Sequence, residues 1–418
     1  MNDFPPINET INDEIRILSD KNASTDLCRF ITRPVWALAT EYQLWQDIAK
    51  ASGKKLLVLC DRSYKGIASI HTAYNDIIST SNGWKPDVVI IHTGWEPEFN
   101  GFEPGEPITH PDKTHLEKMR IRVSRQQAIF LDLYNSIQCP KLVLTVNPVY
   151  NSIPDPHYDM QLFETFYIRV FTRQRQVPAA THKKFKLSCL NRMARPTRID
   201  LFSRLLVEPF FKDMHCSFHA IGLLRGNDGR LTRQLPGRGQ SKYAYLGQIA
   251  EWVGEARSEL ITKTLSSHWD MFPINPDGYN LSDHNWNIGF DPKSYAYTGS
   301  LCNIATETDN GIDQVFLTEK TFTCLAHGMP FFVQTGHGAI AHLRDIGFDV
   351  WDDVIDHAYD AEPDYATRQD MLMDSIRKYM ATEFVRDIDR ENRNIAHFYS
   401  PATYKIFFDS LVDRLTNM

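Results

Sequence analysis

Two stretches of the chain concentrate side chains that could hold a charged, hydroxyl-bearing ligand. In "NRMARPTR", Asn191, Arg192, Arg195 and Arg198 fall between a strand-like run and a helix-like run. Backbone N–H groups at a helix start favour an anion, and arginines beside them add charge-assisted, bidentate bonds to phosphate, so a diphosphate is the natural occupant. A solvated arginine cluster is the plainer alternative. In "IATETDNGIDQVFLTEKTF", Glu307 stands at a strand end and the triplet Thr318, Glu319, Lys320 opens the next helix. Thr318 suits an N-cap, and Glu319 in the first turn suits the helix dipole. Helix electrostatics and a surface cation would explain that pair on an exposed helix. Here the helix is flanked by apolar strands and should be largely buried, where such a pair costs desolvation energy unless something polar meets it. A ribose hydroxyl for the glutamate and a phosphate for the lysine would do so.

A third stretch, "LLRGNDGRLTRQLPGRGQSKY", interleaves Arg225, Arg230, Arg233 and Arg238 with glycines. It reads first as a mobile, solvated loop, and otherwise as one that closes over a ligand or holds an anionic acceptor, DNA included. Metal ligation has little to stand on. The acids of "DID" at 387–389 lie in a helical tail, and His92, His157 and His337 lack ligand spacing. No metal site is expected.

The elements that must position these residues alternate strand and helix. "KKLLVLCDRSYKG", after a helical lead-in, reads as a buried strand ending in a polar loop; 66–81 has helical spacing; Val88 to His92 is a second strand; 116–137 a helix; and "KLVLTVNP" a third strand. Short strands that are apolar throughout, with helices between them, make a parallel sheet covered on both faces. Ligands bind beyond the carboxyl ends of such strands, where Asp61, Arg62, His92, Glu96, Asn147 and Tyr150 would gather.

A second unit restarts near residue 180, after the linker-like "VPAAT". "FKLSCL", "HCSFHAIGLL", "GSLCNIATET" and "MPFFVQTG" are its strands. Its helices run from about Thr197 to Leu206 behind Pro196, from Tyr243 to about Leu265, and from Glu319 to His327. The expected organisation is 1–180 as an N-terminal α/β domain, 181–365 as a C-terminal α/β domain and 366–418 as a helical tail packing back on the first.

A chain of 418 residues is long for one core and favours two domains. Its 42% hydrophobic and 23% charged residues are those of a globular protein. The formal charge of −7 argues against a surface built throughout for nucleic acid. Seven cysteines without a C-x-x-C pair make neither a disulfide framework nor a zinc site, and suit a reducing, cytoplasmic compartment. The N-terminus lacks the order of a signal peptide, and no apolar stretch approaches the roughly 20 residues that span a bilayer.

The segment "IATET…FLTEKTFTCLAHGMPFFVQ" resembles the donor-binding segment of the α1,3-fucosyltransferase-type glycosyltransferases. It is closer still to uncharacterised bacterial and phage-type glycosyltransferases, which follow the same helix with a glycine turn and an "LR-x-x-GF" segment, here "HLRDIGF". "LSCLNRMARPTR" is similar to that group's "LNR-x-x-RPHR". The resemblance covers residues 185 to 360 and implies a GT-B fold, two Rossmann-like domains facing across a cleft, with the nucleotide-sugar held mainly by the C-terminal one.

Carried over by position, Arg192, Arg195 and Arg198 go to the diphosphate, Glu307 and Glu319 to ribose or sugar hydroxyls, and Lys320 to phosphate. Asn191, Thr318 and the glycines Gly336 and Gly338 of "TGHGAI" complete the donor set, the turn admitting backbone amides close to the donor or serving only to join strand to helix. Thr308 stands where fucosyltransferases usually have Asn, so the sugar is not assigned. Inverting transfer needs a base to take the acceptor proton. Glu96 is the first candidate, with Asp61 and His92 behind it. The expected function is therefore sugar transfer from a nucleoside-diphosphate donor, a co-substrate rather than a cofactor, to a hydroxyl on a glycan. A modified base of phage DNA is the alternative acceptor, and a non-catalytic nucleotide- or sugar-binding protein the alternative class.

Overall fold

The computed structural model describes residues 9–12, 15–18, 27–32, 38–61, 67–80, 84–93, 131–145, 157–158, 183–193, 196–221, 224–225, 231–232, 253–272, 274, 295–307, 315 and 317–418. Contacts divide the chain into two units, Met1–Arg173 with Tyr404–Met418, and Gln174–Thr403. Each is α/β, built on a sheet of mainly parallel strands. Of the tail expected to return to the first domain, residues 404–418 group with the first unit and the rest with the second.

In the first unit the elements are β1 (Glu9–Asn12), β2 (Ile15–Leu18), β3 (Cys28–Thr32), α1 (Leu38–Ser52), β4 (Leu56–Asp61), α2 (Ile67–Thr80), β5 (Val88–Thr93), β6 (Lys141–Thr145) and β7 (His157–Tyr158). They form one seven-stranded sheet in chain order. β3 to β7 are parallel, while β1 and β2 add an antiparallel edge. That edge is absent from the sequence reading because "ETIN" and "IRIL" are only four residues each, too short a run for alternation or burial to signal a strand. The central strand matches expectation: Leu56 to Cys60 are all fully buried, so both faces of β4 are covered. Ile70, Ala73 and Ile77 of α2, with Leu133 and Ile137 of the helical run 131–136 and its end, cover the face that presents Leu57, Leu59, Val89, Ile91 and Val143.

The second unit holds β8 (Phe185–Met193), α3 (Pro196–Leu206), β9 (His215–Ile221), β10 (Leu224–Arg225), β11 (Leu231–Thr232), α4 (Glu255–Ser267), α5 (Tyr295–Thr298), β12 (Ser300–Thr306), α6 (Glu319–Ala326), β13 (Phe331–Gln334), α7 (Ala339–Asp345), α8 (Tyr365–Ala381), α9 (Ile388–Phe398) and α10 (Pro401–Thr416), the last running on into the residues of the first unit. Within the arginine- and glycine-rich stretch, β10 and β11 pair as an antiparallel ladder, so part of it is strand rather than loop.

The main sheet has the order β13–β12–β8–β9 and is parallel throughout. The chain goes from β8 to β9 on one side, crosses to β12 on the other and continues to β13. The direction therefore reverses between β8 and β12, which is the topological switch point of an open α/β sheet. Beneath it lies a core of Leu187, Cys189, Phe202, Phe218, Ile304 and Phe332, in which the rings of Phe202 and Phe218 stack at 4.3 Å. Burial pushes the Cys189 thiol up to about 12, which makes it a packing group rather than a nucleophile.

Behind α6 the chain turns at Gly328, whose φ of 62° lies in the left-handed region. Its α-carbon presses on α9, so that an added Cβ would stand 2.0 Å from the backbone oxygen of Glu391. Glu391 is fully buried and takes a bidentate pair from Arg386, at 2.8 and 2.5 Å. Nearby, Lys183 donates to the Tyr297 carbonyl at 3.3 Å, and burial, opposed by Glu391 and reinforced by Arg386, pulls its ammonium down to about 8.

Gly328→Ala is expected to destabilise the protein by about 3 kcal/mol or more, combining left-handed backbone with overpacking against a main chain that cannot yield, as read by denaturant unfolding. Lys183→Met is expected to raise the unfolding temperature at pH 7. Between about 8 and the ordinary lysine value of 10.5 the unfolded wild type binds more protons than the folded one, so its stability rises with pH across that window. The advantage of the variant should shrink over the same range; an advantage independent of pH would show that the ammonium is not the cause.

Candidate functional site

The carboxyl ends of β8, β12 and β13 carry a layer of buried polar side chains. Its centre is Glu307, the residue after β12, which is fully buried. Its carboxylate closes the N-terminus of α6. Oε1 accepts from the Thr318 amide at 2.9 Å, the Thr321 amide at 3.3 Å and the Thr321 hydroxyl at 2.6 Å, while Oε2 accepts from the Thr318 hydroxyl. A carboxylate facing the first amides of a helix is favoured by both the unpaired N–H groups and the helix dipole.

Thr318 is the N-cap, as its position before an apolar-flanked helix suggests, and its hydroxyl accepts from the Lys320 amide. The same oxygen accepts from Lys320 Nζ at 3.0 Å, and that ammonium lies 3.9 Å from Glu307 Oε2 with the side chain 21% exposed. Lys320 therefore serves as counter-ion to a buried acid while its head still reaches the edge of the layer. Glu319 opens α6 with its backbone, and its side chain lies outside the described residues.

On the β8 side, Asn191 is fully buried, donates weakly to Cys189 Sγ and accepts from the Thr306 hydroxyl at 2.7 Å. Arg198, also buried, donates to the Thr306 carbonyl at 3.2 Å, which ties α3 to the end of β12. Arg192 contributes backbone to β8 with its side chain undescribed, and Arg195 lies outside the described residues.

After β13 the glycine turn leads into α7. Gly336 is buried, and Gly338 adopts a φ of 83° that suits glycine. The amides of this turn already have a protein partner: Gly338 donates to the Asp360 carbonyl at 2.8 Å, and Ile340 and Ala341 donate to the two oxygens of the Asp360 carboxylate at 3.0 Å each. So α6 and α7 are both closed at their N-termini by internal acids.

Sequence reasoning passed over Thr321, Thr306, Gln334 and Asp360. Thr321, three residues after the cap, was the one with a local signal. Asp360 comes 20 residues after Ile340 and had none.

In the first unit, Asp61 ends β4 and His92 lies near the end of β5, opposite Cys60 in register, while Asp61 is opposite Thr93. Their side chains, and all of Glu96, lie outside what is described. Among the described residues no three His, Cys, Asp or Glu side chains are grouped to hold a metal, and no helix is long and apolar enough to cross a membrane.

Removing the hub should cost stability whatever the ligand. Glu307→Ala strands the amides and hydroxyls of Thr318 and Thr321 without an acceptor and is expected to destabilise by about 3 kcal/mol, with Glu307→Gln intermediate because its amide nitrogen must face a donor. Urea unfolding measures both; a Gln variant as stable as wild type would show that these bonds do not need a carboxylate.

No protein-family model, curated protein or solved structure matches the chain.

Proposed function

We propose that the protein is a glycosyltransferase that moves a sugar from a nucleoside-diphosphate donor to a hydroxyl on a glycan. The observation that carries this reading is the coincidence of the switch point between β8 and β12 with a buried polar layer that presents a lysine ammonium, Lys320, held by Thr318 and Glu307. Open α/β sheets bind their ligands at such a point, and an ammonium there meets a phosphate.

In this reading the diphosphate lies against Lys320 and the arginines of the β8–α3 connection, Arg192 and Arg195, with Arg198 bracing the floor through Thr306. Glu319 takes a ribose or sugar hydroxyl. Glu307 works through others, by fixing where α6 begins. Gly338, with its left-handed backbone, lets the chain turn beside the donor, and Gly336 precedes it in the same turn. The base that removes the acceptor proton comes from the first unit, with Glu96 ahead of Asp61 and His92, in a GT-B arrangement. The nucleotide-sugar is a co-substrate, and no cofactor is assigned.

A panel of nucleotide-sugars tests the proposal through the unfolding temperature. The true donor, at about 100 times its Kd, should stabilise the protein by about 2.7 kcal/mol. Lys320→Ala and Glu319→Ala should each weaken donor binding by about tenfold. Glu96→Gln should leave donor binding intact and slow transfer by about a hundredfold or more. A panel without any stabilising member, or donor affinity untouched by both α6 variants, would sink the reading.

A further inference from the structure

Unlike α6 and α7, whose first turns are closed by Glu307 and Asp360, the start of α3 has beside it two buried polar atoms without a partner: the hydroxyl of Thr197 on the helix and Oε1 of Gln334 on β13. Thr197 is 2% exposed and Gln334 1%. Thr197 is the second residue of α3, an 11-residue helix, so its hydroxyl belongs to the turn whose first amides have no acceptor within the helix.

Gln334, the last residue of β13, lays its amide head against the same turn. Its Nε2 donates to the Thr197 carbonyl at 2.9 Å and to Gln369 Oε1 at 2.8 Å. Those two bonds fix the amide, so Oε1 cannot turn to find another donor. Leaving one such atom on the helix and another on the strand end that touches it is costly, because each loses its hydrogen bond to water without replacement. What they lack is complementary. The hydroxyl can donate to an anionic oxygen, whereas the amide oxygen asks for a donor.

We infer that the first turn of α3 is a subsite for a phosphate ester that also bears a free hydroxyl, with Thr197 donating to the phosphate and Gln334 accepting from the hydroxyl. The chemistry is that of a nucleotide or sugar phosphate. The inference deepens the donor reading above and rests on it only for the natural ligand. It places Thr197 and Gln334, neither in the set expected from sequence, in the binding machinery. It also divides the labour at the sheet edge: two helix starts are committed to internal acids and one is left for the ligand.

Calorimetric titration of the full chain with UDP and GDP tests it, using Thr197→Val, which keeps the shape and removes the hydroxyl, and Thr197→Ser, which keeps the hydroxyl. For the nucleotide that binds wild type, the Val variant should bind on the order of tenfold more weakly and the Ser variant close to normally. The unfolding temperature of the free Val variant should be equal to or above wild type, since an orphaned hydroxyl has gone. Unchanged affinity in the Val variant, or a lower unfolding temperature with affinity lost in Val and Ser alike, would overturn the subsite, as would failure of both nucleotides to bind wild type. Binding that follows the prediction without transfer of sugar from any donor would remove the glycosyltransferase reading and leave the subsite standing.

Discussion

One buried carboxylate organises the edge of the second sheet. Glu307 sits where β12 ends, fully enclosed, and an ion in that position is costly by several kcal/mol unless its surroundings replace water completely. Four donors from Thr318 and Thr321 and the ammonium of Lys320 replace it. The consequence is geometric. A helix of eight residues, too short to be stable by itself, is held at a fixed start against the end of a central strand. Asp360 repeats the device at α7, with one residue supplying its carboxylate to two amides and its carbonyl to a third.

From Glu307 the polar layer extends across the switch point. Its amide donates to Gln334 of β13, the preceding Thr306 binds Asn191 of β8 and Arg198 of α3, and Gln334 in turn holds α3 and α8 through Thr197 and Gln369. Three strands and three helices thus share one network, so a change at any member is felt at the others. Such a layer would be a poor core. At the carboxyl end of an open sheet such a layer is a rigid rim, and the proposed donor site rests on that rim rather than on the fold alone.

Much of this was legible in the sequence. The apolar runs "LLVLC", "VVIIH" and "PFFVQ" announced buried strands because parallel strands are covered on both faces; the first two lie within β4 and β5, and all but the proline of the third forms β13. Thr318 announced a helix start by a purely local rule. The role of Glu307 was legible only in part: a strand-end acid before a Thr-Glu-Lys helix points to the right place, but sequence spacing does not distinguish a carboxylate that faces a ligand from one that faces amides eleven residues on. The acids of "DID" show the same limit. Placed in a helical tail, Asp387 and Asp389 are indeed exposed, but Asp387 is also the N-cap of α9, a helix start hidden by the continuous helical periodicity of the tail. The edge strands β1 and β2 were missed because four residues each are too few to carry a periodicity signal.

The most direct test of the account is a crystal structure of the protein soaked with the nucleoside diphosphate that stabilises it most. The account predicts the diphosphate beyond the carboxyl ends of β8 and β12, within hydrogen-bond distance of Lys320 Nζ and of the first turn of α3. A nucleotide seated elsewhere on the second unit, or only on the first, would contradict it.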